Sequence, residues 1–105
     1  MGVMKVPKTA SIGGRRIKIV VEPFKGADSD TFGEYFHDDK LIQLNAGMTD
    51  SVTLLTLKHE VLEAALLISG VGFMDAYCQE AVVRCVEEIF DPAWAALFKR
   101  IDFDA

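Results

Sequence analysis

The hydrophobic pattern of this chain changes period near Gly47, and that change limits the folds open to it. Before Gly47 the apolar residues alternate, as in strands; after it they recur at helical spacing. In "VPKTASIGGRRIKIVVEPF" two strands flank Gly13-Gly14, a pair suited to a tight hairpin turn. Ile17, Ile19 and Val21 alternate with Arg16, Lys18 and Val20, so one face is apolar. "KGADSD" at 25–30 reads as a loop. "TFGEYFHDDKLIQLN" then reads as a second hairpin turning at Asp38-Asp39, with Leu41, Gln43 and Asn45 on one face and Ile42 and Leu44 on the other. Thr49 or Asp50 can cap a helix from about Ser51 to Ser69, and Gly70 supplies a left-handed stop. A second helix is expected over about Phe73 to Phe90, ended by Pro92, with Asp91-Pro92 opening a short third helix, "PAWAALFKRI". Strands followed by helices predict an α+β fold: a small antiparallel sheet of two hairpins, then two antiparallel helices and a short C-terminal helix. At 105 residues, half of them hydrophobic, the chain suits one domain spanning 1–105.

Charge and composition remove several function classes. The formal charge is −5 and the pI is near 4.9, which argues against nucleic-acid binding through phosphate neutralisation. The basic cluster Arg15, Arg16 and Lys18, with Lys5 and Lys8 nearby, reads as a solvated strand face. No apolar run reaches the roughly 20 residues a membrane span needs. The N-terminus lacks a signal peptide's apolar stretch, and Val6 stands where a myristoylation pattern wants Ser or Thr. The expected address is the cytoplasm. Cys78 and Cys85 lie seven apart in the second expected helix, about 10 Å by helical rise. That is too far for a disulfide, so both read as free thiols.

The chemistry concentrates in "LKHEVLEAALL" at 57–67. This is the H-E-x-x-H pattern of zinc peptidases with Glu63 in place of the second histidine. His59 and Glu63 emerge one turn apart on one helix face, the spacing that lets two ligands converge on an ion. Glu60 projects about 100° around the helix, where such peptidases carry the general base. A tight connection at Gly70–Gly72 would make the two helices antiparallel, and residue counting then sets Glu80 at the height of the His59–Glu63 pair. The expected metal ligands are His59, Glu63 and Glu80, with Glu60 as catalytic base.

"TLLTLKHEVLEAALL" followed by "AYCQEAVVRCVEEIF" resembles the small zincin metallopeptidase-like proteins of phages and mobile elements, relatives of the SprT-like and ImmA/IrrE-like groups. "GEYFHDDKLIQLN" matches their hairpin, "LKHEVLEAA" their motif helix and "CQEAVVRCVEEIF" the helix that carries a metal-binding Glu, so the likeness covers about residues 15–91. It implies a minimal zincin-like domain, a divalent metal (zinc first), and a peptide or protein partner. The family pattern has His where this chain has Glu63. A donor set of one His and two Glu is harder and more anionic, which shifts preference toward Mn²⁺, Mg²⁺ or Ca²⁺ and weakens activation of water.

Plainer roles stand beside these. His59 and Glu63 could form a surface i,i+4 pair, and Glu80 could pair with Arg84 on a charged face with Glu87, Glu88 and Asp91. His37 could substitute as a ligand or be a turn residue, and Cys78 is a further ligand candidate. The strand at 40–45 could be the edge along which an extended peptide aligns. Phe73, Tyr77, Phe90, Trp94 and Phe98 read as packing between the helices and the C-terminal segment. Two functions follow: a minimal metal-dependent peptidase, or an inactive zincin-like binding module.

Overall fold

A computed structural model describes residues 4–71 and 79–103. The four strands are β1 (Thr9–Ile12), β2 (Arg15–Val21), β3 (Gly33–Phe36) and β4 (Leu41–Leu44). β1 and β2 form the expected hairpin. Gly13 and Gly14 both adopt positive φ, 56° and 77°, which a two-residue turn matched to strand twist demands. β3 and β4 form the second hairpin, turning through 37–40.

The two hairpins do not join as a purely antiparallel sheet. The strand order is β1-β2-β4-β3, and β2 pairs with β4 in parallel, so the sheet is mixed. The expectation of an antiparallel sheet is corrected at that one seam. Each hairpin is dictated locally by its turn, but the seam between them is set by burial. Ile17 and Ile19 of β2 and Ile42 and Leu44 of β4 are all buried, and adjacency places these apolar strands at the centre. The seam also corrects the edge assignment: β4 is internal, and β3 is the edge strand.

Asn45 holds the connection that makes this order possible. Its side-chain nitrogen donates to the carbonyls of Ser29 and Thr31, each at 2.9 Å. Its side-chain oxygen accepts from the Phe24 backbone N–H at 3.3 Å, and its own backbone N–H donates to the Phe32 carbonyl at 2.8 Å. One residue at the end of β4 thereby pins the crossing segment between β2 and β3.

Helix α1 (Asp50–Ile68) lies on the face carrying Ile42 and Leu44, as the alternation predicts. Thr49 caps it by accepting from the Val52 N–H, and Gly70 at φ 85° ends it. Leu57, Val61, Ala64 and Ala65 are wholly buried against the sheet.

The C-terminal helical segment departs from expectation. Helix α2 (Gln79–Cys85) passes through one π turn (Val86–Phe90) straight into α3 (Asp91–Phe98), and both Phe90 and Asp91 keep right-handed helical geometry. Pro92 therefore does not end the helix. In a regular α-helix its ring would meet the carbonyl four residues back. The wide turn, closed by the Asp91 N–H donating to the Val86 carbonyl, accommodates it. The expected start of the second helix, with Phe73, Tyr77 and Cys78, lies outside the described residues. Cys85 is a buried free thiol that accepts from the Ser69 hydroxyl at 3.4 Å. Trp94, Phe98 and Phe103 stack in series with centroid spacings of 5.8 and 5.7 Å, and Lys58 of α1 lies over the Trp94 ring. Among the described residues no helix is long and apolar enough to cross a membrane.

Candidate metal centre on the first helix

The position of α1 over β3 is set by a glycine. A Cβ at Gly33 would sit 2.7 Å from the Thr56 Cγ2 and 3.2 Å from the Gln43 carbonyl, so only a residue without a side chain permits this approach. One turn beyond Thr56, the same closeness presses Glu60 against the strand. Glu60 is 4% exposed, and its Oε1 is buried with no hydrogen-bond partner among the described residues. A buried carboxylate oxygen without a donor is costly, and such an atom in a folded protein calls for an explanation.

Its surroundings sharpen the point. Burial is the main influence that drives the Glu60 carboxyl up to about 7, from the 4.5 of a free glutamate. The charge of Glu63, a hydrogen bond shared with that carboxyl, and the charge of Glu34 push the same way; the Tyr35 backbone N–H opposes them. Two acidic side chains, Glu63 and Glu34, thus act on the buried Glu60 carboxyl.

His59 completes the group. One ligand atom each from His59, Glu60 and Glu63 can be chosen so that all lie within 4.8 Å of one another. Points so spaced can share a centre no more than about 2.8 Å from each, close to ordinary ion–ligand distances. His59 Nε2 and Glu63 Oε2 are 4.0 Å apart, too long for a good hydrogen bond, and both side chains reach solvent (73% and 48% exposed). The donor set and the orphaned oxygen both fit a divalent cation.

The other expected residues fall elsewhere. Glu80 is not in this group: its Oε1 pairs with Arg84 Nη2 at 3.2 Å on the solvent-facing side of α2. His37 also lies apart, its Nδ1 sharing a hydrogen bond with the Tyr35 hydroxyl at 3.0 Å. The residues that sequence reasoning missed are Glu34, Gly33 and Thr56. The signal was present, since a glycine inside a strand pattern marks a close backbone approach. Beside the group opens a cleft of about 320 Å³, lined by Phe32, Gly33, Leu55, Thr56, His59 and Glu60.

No family model, curated protein or solved structure matches this chain.

Proposed function

We propose that this protein is a minimal metal-dependent peptidase-like hydrolase of zincin type, with its centre on α1. The observation that carries the reading is the buried, partnerless Glu60 Oε1 beside His59 and Glu63. His59 and Glu63 would hold a divalent ion, zinc first, with Mn²⁺, Mg²⁺ or Ca²⁺ suited to so carboxylate-rich a set. Glu80, the third ligand expected from the sequence, lies outside the group His59, Glu60 and Glu63 and pairs with Arg84 instead, so the reading rests on His59 and Glu63 as ligands.

Such an ion supplies Lewis acidity toward a carbonyl and makes water easier to deprotonate. Glu60 does the proton work. Its carboxylate takes a proton from the attacking water and returns it to the leaving amine. Without metal, burial and the neighbouring acids push this carboxyl up to about 7; a cation held by His59 and Glu63 would lower it toward the ionised form a base needs. The edge strand β3 runs alongside the centre and offers its backbone to an extended peptide, which makes a peptide or protein the proposed partner.

A second reading rests on Glu63. Its added negative charge weakens activation of water, which leaves a cation-stabilised binding module as the alternative function. Elemental analysis of the native protein and thermal unfolding with Zn²⁺, Mn²⁺ or chelator test the shared premise. Bound metal and a raised Tm are expected; no metal and no shift would remove the ion from both readings. Glu60→Gln then separates them. The enzyme reading expects peptide hydrolysis to fall by about 10²-fold or more with metal retained. Undiminished cleavage would show that Glu60 is not the base.

A further inference from the structure

We infer that the cleft beside this centre receives one large apolar side chain of an extended peptide, seated between Phe32 and Leu55, with a basic residue next to it. The inference rests on the peptide-facing part of the function proposed above and adds what the peptide must carry.

Phe32 and Leu55 are the two most exposed large hydrophobic residues among those described, at 62% and 69%. Scattered single apolar residues on a surface are ordinary, but these two line the same cleft. They come from different elements. Phe32 immediately precedes the edge strand, and Leu55 stands one turn before His59 on α1. Phe32 is also held in place: its carbonyl accepts the Asn45 N–H at 2.8 Å, inside the four-bond clasp that fixes the crossing segment. Between the two walls the floor is Gly33 and Thr56, where the missing Cβ keeps helix and strand close. The result is a shallow, open cleft with an apolar side chain on each side, reaching Glu60 and His59.

Charge selects the neighbour. Glu34, on the edge strand next to Gly33, is near enough for its charge to act on Glu60, and Glu63 lies on the helix side. An acidic residue entering with the apolar side chain would meet all three carboxyl groups, whereas a lysine or arginine would be attracted.

The test uses three blocked peptides, acetyl-Gly-Gly-Lys-Phe-Gly-Gly-amide and its counterparts with Ser for Phe or Glu for Lys. Binding to the whole chain is followed by NMR and calorimetry in the presence of chelator. The Lys-Phe peptide should bind about tenfold tighter than either counterpart, the worth of one partly buried side chain, and should shift the Gly33 and Thr56 amides. Phe32→Ser with Leu55→Ser should remove the preference for Phe over Ser, and keep that for Lys over Glu, without lowering Tm, because both side chains already face water. Equal binding of the three peptides, or a preference for Phe over Ser that survives the double substitution, overturns the inference. A chain that binds no metal and cuts nothing, yet keeps the preference, would refute the hydrolase and retain the cleft. A metal-loaded chain that cleaves all three peptides equally would do the reverse.

Discussion

Two pairs of polar side chains, on α1 and on α2, share helical spacing and have opposite fates. Glu80 and Arg84 face solvent and satisfy each other at 3.2 Å. Glu60 and Glu63 are both acidic, and one of them is buried with an oxygen that has no hydrogen-bond partner among the described residues. The first pair is what a helix surface does with charges when nothing else asks for them. The second persists although burial and repulsion both oppose it, and that cost is what supports the proposal of a site on α1.

Neutralising Glu60 removes the cost that sets the two pairs apart. In the folded chain the Glu60 carboxyl titrates near 7, against 4.5 when free. The folded state therefore holds this proton more tightly than the unfolded state does. Below pH 4.5 both states are protonated and nothing is lost; between 4.5 and 7 stability falls as pH rises, and above 7 the full penalty stands. Glu60→Gln should thus stabilise the metal-free protein at pH 8 by up to about 3 kcal/mol, with the gain vanishing toward pH 4.5. Chemical denaturation across that range reads it directly, and a gain that does not change with pH would locate the effect somewhere other than this proton.

A smaller effect probes why the buried member is buried. Gly33→Ala should destabilise by about 1–3 kcal/mol through the collision with Thr56. Adding Thr56→Ser, which removes the colliding methyl, should recover most of that loss in a double-mutant cycle. Simple additivity of the two changes would mean that helix and strand are not held apart by this contact. Smallest of all, Arg84→Ala should alter stability by no more than about 1 kcal/mol, and less in high salt. A larger loss would show that the α2 pair is more than a surface ornament.

Much of the architecture was legible in the chain. The turn at Gly13-Gly14, the inward set Ile42 and Leu44, and α1 to within a residue at each end all follow from local rules of period, turn and cap. The parallel seam between β2 and β4 does not, because no local pattern says which strands of two hairpins will meet. Pro92 misled for a related reason: proline forbids a regular helix, but a wide turn is a way through that spacing alone does not announce. At the centre, helical spacing correctly brought His59 and Glu63 to one face. It could not foresee that the buried acid beside them would be Glu60, since depth depends on Gly33 from a distant strand. The ligand role of Glu80 came from counting residues along two helices, which gives height along an axis but not the direction a side chain takes.

The π turn at Val86–Phe90 also acts as a phase shifter. Cys85 and Phe90, five residues apart, are both buried, and Ala93, Leu97 and Ile101 continue the inward face at steps of three and four. Regular winding would have turned Ile89 inward at that point and swung the whole downstream stripe about 100° around the rod. Deleting Glu87 or Glu88 would therefore close the wide turn into a regular four-residue step from Cys85 to Phe90 and leave Leu97 facing the core, whereas changing the length of the chain just after the turn would rotate it out.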